Sequence, residues 1–72
     1  MKKIKKIKIR INGKEKSVAE NSKIQTLIND LKVPIKKVAI ELNQEILDKK
    51  KLSKIKLKNN DIIEIVHFIG GG

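Results

Sequence analysis

The sequence predicts a small α+β domain in which one main helix covers a mixed sheet of four to five strands. Three features support this prediction: an alternating strand pattern near the start, one amphipathic helical stripe after it, and a continuously apolar strand pattern near the end. At 72 residues the chain is expected to form one domain. Its apolar residues are mostly Ile, Leu and Val, with Phe68 as the single aromatic residue, and the β-branched Ile and Val favour a sheet.

The first strand pattern occupies residues 6–11, where Lys or Arg alternates with Ile. A period of two places the Ile side chains on one face of a strand and the cations on the other. Asn12-Gly13 follows, and it is typical of a two-residue hairpin turn because both residues tolerate a positive φ. The return strand, about residues 14–19, is weakly apolar and is predicted to lie at a sheet edge, where its charges discourage pairing with another molecule.

One amphipathic helix is predicted after the hairpin. Ser22 and Gln25 have the spacing of a capping box, in which each side chain satisfies a free N–H at the start of the helix. Pro34 prevents the helix from continuing beyond about Lys32. The apolar residues recur with helical spacing and form one stripe, which consists of Ile24, Leu27, Ile28 and Leu31.

The second half of the chain contains the remaining strands. Residues 38–42 are predicted to form a strand, and Asn43-Gln44 a turn into a very short strand at residues 45–47. The charged residues 49–58 are predicted to form a short helical turn and a loop. Three apolar residues anchor this segment: Leu52, Ile55 and Leu57. A turn at Asn59-Asn60-Asp61 precedes the last strand.

The last strand, residues 62–69, is the most continuously apolar segment and is therefore predicted to lie in the middle of the sheet. We expect it beside the first strand. Because their connection contains the helix, a parallel pair with a right-handed crossover is expected. A hairpin, one covering helix and further strands in this order form the β-grasp arrangement, here a single domain over residues 1–72.

The formal charge of +10 allows two interpretations. One is a nucleic-acid surface, and the other is a solvated, lysine-rich surface. All but one of the 18 basic residues are Lys, whereas base recognition and phosphate clamping favour Arg. Stacking on single strands also needs aromatic residues. We therefore predict no nucleic-acid partner.

The opening segment MKKIKKIKIR resembles a secretory signal only in its charge, because cations interrupt every apolar run. No stretch approaches the length of about 20 apolar residues that a membrane-spanning helix needs. The expectation is a soluble, cytoplasmic protein that has no membrane partner.

Candidate catalytic and metal-binding groups are scarce. His67 is the single His, there is no Cys, and the eight acidic residues have no ligand spacing. Since no candidate partner lies near His67 in the sequence, it is interpreted as a strand residue near the end of the sheet. We predict no catalytic residue, no metal site and no bound cofactor.

The three glycines at positions 70–72 raise a different possibility. A tail without Cβ atoms is thin and flexible, and it can enter a channel that side chains would block. It reaches about 10 Å beyond Ile69 when fully extended. The group at its tip is the carboxylate of Gly72, which can act as an acyl donor only after activation. The alternative is a frayed or artificial end, and the strong strand directly before the tail favours the functional interpretation.

The segments VAIELNQEI (residues 38–46) and NDIIEIVHFIGGG (residues 60–72) resemble the ThiS family, the sulfur carriers of thiamin biosynthesis. These carriers are ubiquitin-like β-grasp proteins that end in Gly-Gly. The resemblance is specific in the second half of the chain and generic before residue 37. Two departures are evident. The turn at Asn43-Gln44 usually has the sequence Asn-Gly in the family, and the family is often acidic whereas this chain is strongly basic.

The resemblance implies a carrier that other enzymes act on, and no activity of its own. An adenylating enzyme of the ThiF type would use ATP and Mg²⁺ to convert the Gly72 carboxylate to an acyl-adenylate. A sulfur relay that starts from cysteine would replace the adenylate and leave a thiocarboxylate at Gly72. Thiazole synthase would then take this sulfur to build the thiazole of thiamin. Gly71 and Gly72 would be threaded into the partner, and Gly70 and Ile69 would guide the tail.

A docking surface for these partners is predicted from the strand alternation. If Ile63 and Ile65 point at the helix, Val66 and Phe68 point at the opposite face of the sheet. Ala39 would join them from the neighbouring strand, and Ile69 would follow them into the tail. The alternative for Phe68 is a core residue that folds over the sheet edge.

Three other functions remain open at this level. A molybdopterin-type sulfur carrier and a ubiquitin-like modifier that forms isopeptides would use the same activated tail. A basic nucleic-acid-binding module would not use the tail at all, and its binding would depend strongly on salt.

Overall fold

The computed structural model describes residues 5–68, and its strands form one five-stranded sheet. The strands are β1 (Lys6–Ile11), β2 (Lys14–Ala19), β3 (Val38–Leu42), β4 (Glu45–Ile46) and β5 (Ile62–His67). The helix α1 (Ile24–Leu31) lies between β2 and β3 in the chain. Two 3₁₀ helices, Ile35–Lys37 and Lys49–Lys54, flank β3 and β4. The predicted α+β class and β-grasp order are confirmed.

The strand order is β2-β1-β5-β3-β4, so the last strand lies in the middle of the sheet as predicted. β1 and β5 are parallel, with Arg10 beside Ile62. β5 and β3 are antiparallel over five residue pairs, from Val38 beside His67 to Leu42 beside Ile63. The weakly apolar β2 is an edge strand, also as predicted.

Both hairpins turn through residues with positive φ. Asn12 and Gly13 have φ values of 49° and 84°, which is the requirement of the predicted two-residue turn between β1 and β2. Asn43 and Gln44 have φ values of 51° and 74° between β3 and β4. Gln44 adopts this left-handed conformation at a cost, because its Cβ crowds the backbone there.

The helix occupies Ile24–Leu31, but the predicted capping box at its start is wrong. Lys23 is the N-cap residue, and it makes no side-chain capping bond. The Ser22 hydroxyl donates to the Ala19 carbonyl instead (2.6 Å), and the Gln25 amide donates to Asn29 Oδ1 (3.0 Å).

The start of the helix is satisfied by a distant segment. The Ile24 N–H donates to the Ile55 carbonyl (2.9 Å), and the Leu57 N–H donates to the Ser22 carbonyl (2.7 Å). The Ile55 carbonyl in this segment is therefore the acceptor at the start of the helix, where the capping-box prediction expected a nearby side chain. At the other end Lys32 adopts φ 56° and ends the helix before Pro34, where the sequence predicted.

The core lies between α1 and one face of the sheet. The predicted stripe contributes Ile24, Leu27 and Ile28, all buried, and Leu31 packs at the margin. Leu52 is fully buried on the second 3₁₀ helix, so the anchor predicted for this charged segment is confirmed. The sheet contributes the inward residues of its three central strands: Ile7, Ile9, Val38, Ile40, Ile63 and Ile65.

The last strand ends earlier than predicted. β5 closes at His67, and the Phe68 N–H donates to the Lys37 carbonyl (2.8 Å), which continues the contact with β3 by one residue. The prediction extended this strand to Ile69. Ile69 and the glycine tail, residues 70–72, lie outside the described residues.

Candidate functional site

The helix covers only one face of the sheet, and the opposite face, called the open face here, carries the exposed apolar side chains. Because side chains alternate along a strand, the residues between the buried positions of β5 point to the open face. Val66 is 49% exposed and Phe68 is 48% exposed. Ala39 is paired directly with Val66 across β3 and β5. The structure thus brings together the three described residues that the sequence proposed for docking.

Ile46 enlarges this surface, which we call the apolar patch (Ala39, Ile46, Val66 and Phe68). Ile46 pairs with Glu41, so it shares the open face and is a diagonal neighbour of Ala39. It is 75% exposed, the largest value among the exposed large apolar residues of the described chain. Ile46 was not among the docking residues predicted from the sequence, although the two-residue turn at Asn43-Gln44 fixes the register that places it opposite Glu41.

Phe68 packs on the surface of the domain and is not part of its core. Its ring lies 5.3 Å from the Lys49 Nζ, which is a cation–π contact. Its main chain is held by the bond to Lys37. The alternative in which Phe68 folds over the edge into the core is therefore excluded, and the aromatic ring stands next to the start of the tail.

The open face also carries two bands of charge. Lys6, Lys8 and Arg10 are exposed on β1. On the strands that follow β1 in the sheet, Glu64 of β5 is paired directly with Glu41 of β3. Two like charges opposite each other destabilise a sheet slightly. A partner that covers this face would therefore meet cations on β1, carboxylates in the middle and the apolar patch beside the tail.

Ile62 is separated from the apolar patch. It is 48% exposed, lies beside Arg10 on β1, and lines a shallow pocket of about 160 Å³ together with Lys8, Glu15 and Asn60. This pocket contains cations, a carboxylate and an amide, but it brings no nucleophile next to a base.

Two asparagine side chains hold β5 in place. Asn12 Oδ1 accepts from the Ile65 N–H (2.8 Å), and Asn12 Nδ2 donates to the Ile65 carbonyl (3.3 Å). Asn43 Oδ1 accepts from the Ile62 N–H (2.9 Å), and its Nδ2 donates to Asp61 Oδ1 (3.0 Å). Both asparagines therefore act as turn residues and as clamps on the strand that leads to the tail.

Asp61 completes the attachment at the start of β5. It is 8% exposed, and its second oxygen accepts from the Lys58 N–H (2.7 Å). The burial of this carboxylate is compensated by hydrogen bonds to both of its oxygens. The sequence predicted a turn at residues 59–61 but assigned no role to Asp61.

Residues 5–68 contain no group of three or more His, Cys, Asp or Glu residues that could hold a metal ion. His67 is exposed at the end of β5, where the sequence placed it. Within the same residues no helix is long and apolar enough to cross a membrane. The remaining site predictions concern Ile69, Gly70, Gly71 and Gly72, which lie outside the described residues.

Comparison with known proteins gives consistent relatives. The profile of the ThiS family matches residues 9–72. The chain is 38% identical over 65 residues to the sulfur carrier protein ThiS of Bacillus subtilis, covering 89% of this chain and 98% of that protein. It superimposes on the crystal structure of the thiamine biosynthesis protein ThiS from Geobacter metallireducens with a TM-score of 0.81 and 33% identity, covering 92% of this chain and all of that one.

A third relative is much longer. The chain is 38% identical over 66 residues to a thiazole synthase of Paramagnetospirillum magneticum, covering 92% of this chain but only 20% of that protein. This chain therefore spans about a fifth of the length of that relative.

Within residues 5–68, the mixed five-stranded sheet and the α-helix that covers one of its faces define a small β-grasp protein. The profile match and the near full-length relatives specify the group further. The chain belongs to the ThiS family.

Proposed function

We propose that this chain is a sulfur carrier of thiamin biosynthesis that presents the carboxylate of Gly72 to other enzymes. The observation that carries the proposal is the family match, which extends through residue 72 and so includes the whole glycine tail. The relative from Bacillus subtilis, matched over nearly its full length, is named as a sulfur carrier.

The chemistry takes place on the main-chain terminus. A carboxylate oxygen of Gly72 attacks the α-phosphorus of ATP, and pyrophosphate leaves. This step belongs to a ThiF-type adenylating enzyme that supplies Mg²⁺. A persulfide sulfur of a relay that begins with cysteine then attacks the carbonyl carbon, and AMP leaves. A second thiol of the relay attacks the resulting acyl disulfide, so that the relay is left with a disulfide and Gly72 carries a thiocarboxylate. Because a free carboxylate is a poor acyl donor, the adenylate provides the leaving group that the sulfur step needs.

The open face is the docking surface in this proposal. The apolar patch supplies exposed apolar area on β3, β4 and β5, and its residue Phe68 is followed at once by the tail. Residues 69–72 can span about 13 Å when extended. A partner that covers the patch can therefore receive Gly72 in a site at about that distance. Gly70, Gly71 and Gly72 would be threaded, and Ile69 would guide them.

Thiazole synthase is proposed as the enzyme that accepts the sulfur. The support is that two thiazole synthases, from Paramagnetospirillum magneticum and Magnetococcus marinus, each contain a segment similar to 92% of this chain. Joining two domains in one polypeptide raises their effective concentration, which benefits domains that work together. A carrier that is not joined to thiazole synthase would instead have to bind it through the open face.

The proposal is tested by the intact mass of the full chain after incubation with a ThiF-type enzyme, ATP, Mg²⁺ and a sulfur source. We expect a mass increase equal to sulfur minus oxygen, located at Gly72 by fragmentation. A variant that lacks Gly72 and a reaction without ATP are the controls, and neither should gain the sulfur. An unchanged mass of the full chain would overturn the proposal, and a covalent adduct to lysines of other proteins would favour a modifier instead.

A further inference from the structure

The central strand β5 loses one of its two neighbours before it ends. β1 stops at Ile11, opposite Ile63, because the chain turns at Asn12-Gly13 into β2. β3 remains paired with β5 up to His67. The last part of β5 is therefore flanked on one side only, although the strand lies in the middle of the sheet.

The hydrogen-bonding direction of each residue in this part follows from the ladder with β3. The Phe68 N–H donates to the Lys37 carbonyl, so Val38 and His67 form a non-hydrogen-bonded pair. The N–H and C=O of His67 consequently point away from β3, toward the side that β1 has left. The main-chain N–H and C=O groups of Ile63 and Ile65 point toward the same side, because the main-chain groups of residues two apart in a strand share a direction.

Asn12 satisfies the first two of these three positions. Its main-chain N–H donates to the Ile63 carbonyl (2.9 Å), and its side-chain amide takes both the N–H and the C=O of Ile65. The side chain thus replaces the peptide group that a longer β1 would have provided. His67 lies about 6.6 Å further along the strand, beyond the reach of the same amide. No residue within 5–68 lies in register with His67 on this side.

We propose that the partner enzyme that receives the tail adds a strand to β5 on this vacated side, and that the N–H and C=O of His67 form its first hydrogen bonds. The inference rests on the proposed function, because it assigns the added strand to an enzyme that handles Gly72. Such an enzyme must enclose residues 69–72, which follow Phe68 in the sequence. An extended segment of the enzyme that runs beside the tail would reach His67, whose N–H and C=O are the first main-chain groups available to it on this side of β5.

The surroundings of His67 are suited to an added strand. Apart from its two chain neighbours, no heavy atom lies within 4 Å of the position that a Cβ on Gly13 would take, so the turn is open on that side of Gly13. Val66 and Phe68 are about half exposed on the open face beside the proposed strand. We therefore expect a partner segment with apolar side chains at alternate positions, which contact these two residues across the new pair.

The outer edges of the sheet are less suitable for the same purpose. β4 has only two residues, and β2 carries Lys14, Glu15 and Lys16 in succession. Short and charged edges discourage strand pairing. Neither β2 nor β4 is the strand that precedes the tail in the chain, whereas β5 is.

Amide hydrogen exchange on the ¹⁵N-labelled full chain tests the inference, alone and with a ThiF-type enzyme or a thiazole synthase. In the free chain the His67 amide should exchange quickly, because its N–H faces solvent. In the complex we expect its exchange to slow at least tenfold, as for a hydrogen-bonded strand position. The Val66 amide, which points to β3, is the internal reference and should be protected in both states.

A proline substitution separates the main chain from the side chain. His67→Pro removes the N–H that points away from β3 and leaves the ladder with β3 intact, whereas His67→Ala keeps the N–H and removes the imidazole. We expect His67→Pro to weaken binding about tenfold, the usual effect of one hydrogen bond, and His67→Ala to bind like the parent chain. Thermal unfolding and protection of the β3 amides establish that both variants are folded.

The outcomes distinguish this inference from the proposed function. Normal sulfur loading and binding with a His67 amide that stays unprotected would overturn the added strand alone. Equal losses of affinity in His67→Pro and His67→Ala would also overturn it, since the side chain would then be the contact. Absence of binding and of sulfur loading in the parent chain would overturn both.

Discussion

Replacing Asn12 by alanine removes the clamp between the first turn and the last strand. Asn12 makes two hydrogen bonds to Ile65, one of 2.8 Å and one of 3.3 Å. A hydrogen bond contributes about 1 kcal/mol net, and the longer one less, so the pair contributes roughly 1–1.5 kcal/mol. Asn12 also has φ 49°, where alanine is less favourable than asparagine by about 1 kcal/mol. We expect a total loss of about 2–2.5 kcal/mol in the free energy of unfolding.

Urea unfolding at constant m-value measures this loss, and the melting temperature should fall by about 10–20 °C for a domain of this size. Asn12→Gly tolerates the positive φ but lacks the amide, so it should lose only about 1–1.5 kcal/mol. Asn21→Ala is the matched control, because Asn21 has φ 68° but does not clamp β5. It should lose about 1 kcal/mol. An Asn12→Ala variant that is no less stable than Asn21→Ala would refute the role of the clamp.

Four further predictions concern stability and binding. Gln44→Gly should raise the free energy of unfolding by about 1 kcal/mol, since glycine accepts φ 74° without strain, and a destabilised variant in urea would contradict this. Asp61→Asn should lower it by about 1–3 kcal/mol, because a single amide oxygen cannot accept from both the Lys58 N–H and Asn43 Nδ2; unchanged unfolding would argue against these two bonds. Ile46→Ser and Phe68→Ser should weaken binding to a ThiF-type enzyme while stability changes by less than about 0.5 kcal/mol, as surface plasmon resonance and thermal unfolding can measure. Because the chain carries a charge of +10, its association rate with an acidic partner should fall as salt rises, and a salt-independent rate would show that charge does not steer the encounter.

Local pattern was sufficient for the elements of this fold. The alternation in residues 6–11 and the helical stripe from Ile24 to Leu31 specify which face is buried. The strand was predicted with the bounds that the structure has, whereas the helix begins at Ile24 after Lys23 and not after a cap at Ser22. Pro34 and the Asn12-Gly13 pair specify where chain direction changes, because their allowed φ values are narrow or unusual. The positions of Ala39, Val66 and Phe68 on the open face also follow from alternation, since a period of two determines the face of each strand residue.

Side-chain hydrogen bonds across the sheet were not accessible from local pattern. Ser22 and Gln25 have the residue types and the spacing of a capping box, yet the N–H at the start of the helix bonds to the Ile55 carbonyl instead. Asn12 was recognised as a turn residue, but its partner Ile65 lies 53 positions away in the chain. Such competition is decided by which distant groups the fold brings within hydrogen-bonding distance.

The sequence by itself determined the fold class, the buried faces and the family, because these depend on periodicity and on motifs that are contiguous in the chain. Tertiary structure alone decided that β1 leaves β5 at Ile63, that Asn12 satisfies Ile65, and that no residue within 5–68 pairs with His67 on the side of β1. The physical reason is that strand register is a relation between two segments. The length over which β1 and β5 pair therefore depends on both strands and on the turn between β1 and β2.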